Sequence, residues 1–335
     1  MDITLVWAVI IVSGVVVYVM LDGFDLGLGI LFPFAPTDEH RDIMMRSIAP
    51  VWDGNETWLI LGGAGLFAAF PKAYAMLLPV FYIPLMLMLF ALILRGVAFE
   101  FRFKAGRSRY LWDLSFSLGG WLAAFCQGII AGAIVQGIPV SDGQYAGGAW
   151  DWLTPFTVFT GLALIVGYAL LGSTWLVMKT LGELQQWSYR LARPLLVGVL
   201  VCIGVVSLWT PLAEPAVAER WFSLPNFYYL SQVPFAIFLL SASCWYVLKR
   251  EQRKHQSYPF YLSLGLFVLA HLGFVISIWP YIVPRALTFW DAAAPFSTQL
   301  FVLVGFLVLL PFVVHHTLLG YRVFKGKVTA DQSYY

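Results

Sequence analysis

The sequence predicts an all-α integral membrane protein with nine transmembrane helices, N-terminus outside and C-terminus inside. Three observations predict it. The 335 residues are 60% hydrophobic and only 11% charged, with a mean hydropathy of +0.80, whereas soluble domains carry about 25% charged residues. The chain breaks into nine apolar runs close to the ~20 residues that cross a bilayer. Its basic residues gather on alternate flanks of those runs, as they do in cytoplasmic loops.

The first run, 3–31, has no Lys or Arg ahead of it and no small-residue cleavage site, which argues against a removable signal peptide. The second, 54–72, is the weakest, because Leu61-Gly62-Gly63-Ala64-Gly65 interrupts it and Pro71 closes it. The others are 74–101, 113–137, 153–180, 188–211, 227–249, 259–283 and 296–321. With all nine counted, one set of flanks holds 16 of the 20 basic residues, in groups around Arg41/Arg46, Arg102–Arg109, Lys179–Arg193, Lys249–Lys254 and Arg322–Lys327. The other set holds Lys72, Arg220 and Arg285, and Arg95 lies inside a run. Omitting the weak second run would split the basic groups between the two sides, so it is kept.

All loops are short, and the chain reads as a single polytopic membrane domain over residues 1–335. Trp150, Trp152, Trp209, Trp221, Trp279 and Trp290 fall near the outer ends of runs, where aromatic belts form. A net charge of +2 leaves nothing to neutralise phosphates and excludes an electrostatic nucleic-acid binder. Cys126, Cys202 and Cys244 lie far apart in apolar segments and read as small buried hydrophobes rather than a disulfide or metal framework.

The informative residues are charges inside the apolar runs. Each costs ~2.5–3.5 kcal/mol or more in the hydrocarbon, so it faces a bundle interior and commonly carries a function. Asp22 and Asp25 stand three residues apart in the first run, on one helical face, and the glycines between and after them allow another helix close. Asp53 and Glu56 open the second run, Arg95 and Glu100 close the third, and Asp113 opens the fourth. All fall towards the cytoplasmic side. Carboxyls converging there suit a proton uptake route, with Asp25, Asp53 and Glu100 as carriers and Asp22 and Glu56 as further candidates. They equally suit a structural network in which Arg95 pairs with Asp25 or Glu100. The two readings are compatible. His271 and Gln127 lie near mid-membrane; a lone His at that depth could ligate a haem, but an interhelical hydrogen bond is its favoured role. No pair of residues stands out as axial haem ligands, and no metal site is expected.

The runs Leu21-Asp22-Gly23-Phe24-Asp25-Leu26-Gly27-Leu28-Gly29 and Ser47-Ile48-Ala49-Pro50-Val51-Trp52-Asp53-Gly54-Asn55-Glu56-Thr57-Trp58-Leu59 resemble subunit II of the cytochrome bd-type quinol oxidases. So do Leu66-Phe67-Ala68-Ala69-Phe70-Pro71 and Arg95-Gly96-Val97-Ala98-Phe99-Glu100-Phe101-Arg102. The signature covers roughly the first hundred residues; length and span pattern match the rest, and the compact chain is closer to the cyanide-insensitive branch. The resemblance implies two four-helix bundles plus a peripheral helix in the bacterial inner (cytoplasmic) membrane. It also implies a partner, subunit I, carrying haems b and d and the quinol site, with no catalytic residue on this chain. In some members it implies small single-helix accessory subunits, a structural quinone or an oxygen route. A cytoplasmic proton path through acids matching Asp25, Asp53 and Glu100 is implied too, Glu100 standing where some relatives have Asp.

Two functions follow as expectations. The first is the haem-free subunit of a ubiquinol:oxygen oxidoreductase that draws protons from the cytoplasm and builds a proton-motive force without pumping. The alternative is a stand-alone proton-coupled transporter, which would call for inverted repeats and broken helices around a midplane polar site.

Overall fold

The computed structural model describes residues 2–141, 143–251 and 255–329; the expected basic residues Arg253 and Lys254 lie outside them. Long helices dominate. In chain order they are α1 (Ile3–Leu31), α2 (Asp38–Ile48), α3 (Trp52–Ala69), α4 (Pro71–Phe101), α5 (Arg109–Gln136), α6 (Pro155–Lys179) and α7 (Gly182–Ala213). There follow α8 (Pro215–Phe222), α9 (Asn226–Leu230), α10 (Gln232–Arg250), α11 (Tyr258–Ile278), α12 (Phe289–Ala292) and α13 (Phe296–Val323). Two short hairpins, β1 (Val140–Ser141) with β2 (Gln144–Tyr145) and β3 (Tyr281–Val283) with β4 (Leu287–Thr288), lie at one end. That end is called here the Trp7 end, and the opposite one, where Arg102 lies, the basic end.

Among the described residues, eight helical segments are long and apolar enough to cross a membrane, against nine expected. The shortfall is α3, whose 18 residues carry Asp53, Asn55 and Glu56 and so fall below that apolarity. It is nonetheless a continuous helix running antiparallel to α1: Asn55 reaches Leu21, Leu61 meets Gly14, and Gly65 meets Ile11. Two other expectations shift. Residues 279–283 leave the helix, and Tyr281–Val283 form β3, because the chain turns extended at Trp279 and Pro280 offers no N–H to continue it. The segment 38–48 forms α2, capped by the Thr37 hydroxyl with Asp38 and Glu39 in its first turn, a charge placement that suits a helix N-terminus.

Helix α1 is the axis. Every residue from Asp22 to Leu31 is buried, as expected of a helix covered on all sides. Glycine makes that possible at one crossing above all: a Cβ at Gly27 would lie 1.9 Å from the Tyr168 carbonyl oxygen of α6. Phe24 stacks on Trp175 of α6 at 4.2 Å, with Phe260 of α11 edge-on at 5.4 Å. Helices α7, α10 and α11 build a separate core on α6 around Leu170, Leu196, Cys244 and Leu266. At the Trp7 end a further core gathers Trp7, Phe70, Ala73, Val283 and Phe289. There Arg285 ties three elements together, bridging to Glu214 at 2.5 Å and donating to the Gln136 carbonyl at the end of α5.

Candidate functional site: a buried carboxyl cluster

Three helices, α1, α3 and α4, bring charge to one place near the basic end. Helix α4 turns Ala91, Leu92, Arg95, Ala98 and Phe99 inward, so Arg95 lies on a stripe with helical spacing and its side chain is fully buried. Its Nη1 donates to Asp22 Oδ1 at 2.5 Å, and its Nη2 to Glu56 Oε2 at 2.8 Å. The Arg95 partners are therefore Asp22 and Glu56, not the Asp25 or Glu100 expected from sequence. Gly119 of α5 lets the two backbones approach beside this pair; a Cβ there would lie 3.0 Å from Arg95 Cβ and 2.6 Å from the Ala91 oxygen.

Asp25, one turn along α1, is also fully buried. Asn55 donates to its Oδ2 at 2.7 Å, and Tyr321 of α13 donates to Asn55 Oδ1 at 2.8 Å. Asp22 Oδ2, Asp25 Oδ1 and Arg95 Nε are buried with no hydrogen-bond partner among the described residues. Glu56, with 27% of its side chain exposed, is the member that reaches outward. One guanidinium, which stays protonated, thus faces three carboxyl groups, so protons can exchange on the acids while a central ion pair persists.

The remaining predicted carriers lie at the rim. Asp53 is exposed. Glu100 is half exposed, 3.9 Å from Lys104. Between them Trp52 stacks on Phe99 at 4.9 Å, so both acids flank one aromatic contact just outside the cluster. Asp113 joins a second group: Arg102, its side chain fully buried, bridges Asp42 of α2 at 2.6 Å and Asp113 of α5, and Arg109 also reaches Asp42. The Arg102 guanidinium lies over the rings of Phe32 and Phe103 at 5.2 and 5.4 Å. This group clasps α2, α4 and α5 together.

Nearer mid-helix, Gln127 of α5 donates to the Tyr18 hydroxyl at 2.8 Å and accepts from Tyr168 at 2.6 Å. Gln127 thus joins α5 to α1 and α6, whereas the interhelical bond was expected of His271. His271 instead keeps its bond within α11, to the Phe267 carbonyl at 2.8 Å, because that carbonyl lies one turn back on its own helix face. Sequence reasoning passed over Asn55, Tyr321, Arg102 and Asp42. A signal for Asn55 existed: the inward stripe of α3 is Asn55, Trp58, Gly62, Gly65 and Ala69, a three-and-four spacing that leaves Asp53 outside.

Fold and site together define a polytopic helical membrane protein with an ion-paired carboxyl cluster inside its bundle. The chain belongs to the cytochrome bd terminal oxidase subunit II family, whose match covers residues 3–324. It is 28% identical over 364 aligned positions to cytochrome bd-I ubiquinol oxidase subunit 2 of Escherichia coli K12, covering 97% of this chain and 95% of that one. It is 26% identical to cytochrome bd ubiquinol oxidase subunit 2 of Bacillus subtilis 168, with 96% of each covered. In fold it is similar to a chain of the bd oxidase structure from Geobacillus thermodenitrificans, with a TM-score of 0.77 and 17% identity over 97% of this chain and 99% of that one.

Proposed function

We propose that this chain is the haem-free subunit of a quinol:oxygen oxidoreductase of the aerobic respiratory chain in a bacterial inner membrane. Haems b and d and the quinol site belong to its partner, subunit I; small single-helix subunits can join the pair. Quinol oxidation and oxygen reduction to water then build a proton-motive force without pumping, because the protons consumed come from the cytoplasm. In this reading α3 is a ninth crossing, the helices form two four-helix bundles with one peripheral helix, and residues 1–335 are one domain with N-terminus out and C-terminus in. The alternate-flank distribution of basic residues supports that orientation, and the antiparallel run of α3 beside α1 supports the ninth crossing. Family membership weighs against a stand-alone transporter.

This chain's contribution is a proton route. Asp53 and Glu100 collect protons at the rim, Glu56 passes them inward, and Asp22 and Asp25 carry them within the bundle while Arg95 holds the helices. The observation that carries this reading is the buried set Asp22–Arg95–Glu56 with Asp25 beside it. Asp→Asn and Glu→Gln keep shape and remove the exchangeable acid. In the purified two-subunit oxidase, Asp22→Asn, Asp25→Asn, Asp53→Asn, Glu56→Gln and Glu100→Gln should lower oxygen consumption per haem and slow proton uptake in proteoliposomes, with haem content unchanged. Wild-type rates and coupling in all five would make the acids structural and end the proton-route reading.

A further inference from the structure

Asp25 is held from one side. Asn55 donates through Nδ2 both to Asp25 Oδ2 at 2.7 Å and to the Leu21 carbonyl at 3.2 Å. Its own Oδ1 accepts from the Tyr321 hydroxyl at 2.8 Å. An amide can present oxygen or nitrogen to a neighbour; here a carbonyl on one side and a hydroxyl on the other fix it with nitrogen towards Asp25. Tyr321 is steadied in turn by Trp175, edge-on at 6.3 Å. The chain Tyr321–Asn55–Asp25 therefore links α13, α3 and α1, and each donor in it polarises the next. On the far side, Asp25 Oδ1 and Asp22 Oδ2 are both buried and unpartnered among the described residues, on acids three positions apart on one face of α1.

We propose that Asn55 and Tyr321 are positioning residues that reserve Oδ2 of Asp25 for the amide and make Oδ1 the atom that takes up and releases the transferred proton. The inference rests on the proton-route reading above. A proton bound at Oδ1 leaves the carboxylate behind when it departs, and no other bond changes. The groups facing Asp25 are Asp22 on its own helix, Asn55 and Glu56 on α3, Arg95 on α4 and Tyr321 on α13; α6 and α5 contribute the neutral Tyr168 and Gln127 one to two turns away.

The test is the pH dependence of quinol-driven oxygen consumption per haem in the purified complex, for Tyr321→Phe and Asn55→Ala alongside Asp25→Asn. Losing donation to the ionised carboxylate should displace the pH–rate curve towards alkaline pH, by on the order of half a unit in Tyr321→Phe and one unit in Asn55→Ala. Haem content should stay at the wild-type level. An unshifted curve in either variant, including one with lower assembly or a uniformly lower rate, overturns the positioning role. In that case a loss of turnover in Asp25→Asn still leaves the acid route standing. Wild-type turnover in Asp25→Asn overturns the positioning role as well, because the atom it serves then carries no proton. The wider route falls only if the other four acid variants are silent too.

Discussion

Replacing Arg95 with methionine separates a structural guanidinium from a functional one. Arg95 and Asp22 have side chains with no exposed surface and Glu56 is 27% exposed, with contacts of 2.5 and 2.8 Å. Methionine fills much of the arginine stem, so the cavity contribution is small. What remains is an uncompensated Asp22 carboxylate in a dry interior, and removing one member of a buried pair costs roughly 3–5 kcal/mol. Glu56 regains water and adds little, which sets the expected loss nearer the lower figure, ~3 kcal/mol. That is more than a hundredfold in the equilibrium between folded and unfolded forms, from a total stability of only about 5–15 kcal/mol. Adding Asp22→Asn removes the stranded charge and should return about 1–2 kcal/mol, a coupling expected of residues in direct contact. The measurements are yield of haem-loaded complex, its thermal unfolding midpoint, and oxygen consumption per haem. Arg95→Met should lower the first two sharply and the third modestly, with partial recovery of yield and melting point, not of oxygen consumption, in the double variant. A variant that assembles and melts like wild type yet has lost turnover would refute the reasoning and move Arg95 into the chemistry.

Three further outcomes follow from the packing and from the docked C-terminal tail. Gly27→Ala should lower complex stability by about 1–3 kcal/mol, because its Cβ would lie 1.9 Å from the Tyr168 oxygen and 2.9 Å from the Gly172 nitrogen, both backbone atoms. Gly204→Ala, whose Cβ meets nothing within 4 Å, is the control, and equal melting points for the two would sink the claim. Lys327 donates to the Val177 and Thr180 carbonyls at 3.3 and 3.0 Å, and the adjacent Val328 N–H bonds to the Lys179 oxygen at 2.8 Å. Lys327→Met should therefore raise hydrogen exchange at Val328 by about fivefold to tenfold, the equivalent of ~1 kcal/mol. Burial first, and Lys179 second, hold the Lys327 ammonium below the ordinary lysine range. Between that lowered value and 10.5 the docked tail binds fewer protons than the free one, so its docking tightens as pH rises through this window. Proteolysis at Phe324 should slow accordingly, and a rate that rises instead would contradict the sign.

The helices were legible because apolar runs and their basic flanks are written directly in the sequence. The first run, 3–31, coincides with α1 (Ile3–Leu31). Boundaries moved where local chemistry overrode hydropathy, as at Pro71, which opens α4 three residues earlier than expected because proline suits the first helical turn. The convergence of acids was legible as depth along each helix, but not as azimuth. Asp53 and Asn55 differ by two positions, roughly 200° around α3. Depth alone cannot tell them apart. The small-residue stripe Gly62, Gly65, Ala69 selects Asn55, and the same treatment of α4 selects Arg95 and turns Glu100 outward. Tyr321 lay beyond such reasoning. It meets Asn55 across 266 positions, and no local pattern fixes which helix a phenol on α13 will touch.

One stretch of α1 serves both packing and charge, and helical geometry explains how. At about 100° per residue, Asp22 and Asp25 point to one side, while Gly23 and Gly27 point roughly 150° away. The glycine side admits α6 to backbone contact, with the Tyr168 ring over Gly23 and its carbonyl over Gly27. Two turns beyond Asp22, Gly29 meets Gly120 of α5, and Trp121 donates to the Ile30 carbonyl at 3.2 Å. Helices α6 and α5 thereby cover α1 on two sides, and the acids are left facing α3 and α4. Those two helices bring the counter-charge and the amide, and at Glu56 they leave the cluster's partly exposed edge. A carboxyl in such a site meets other ionisable groups at close range and in a low dielectric, where each charge acts more strongly on its neighbours than it would in water. The glycines do not touch a proton, yet they create the dry wall against which the acids work. Enlarging any of them would open that wall before it altered a single charged residue.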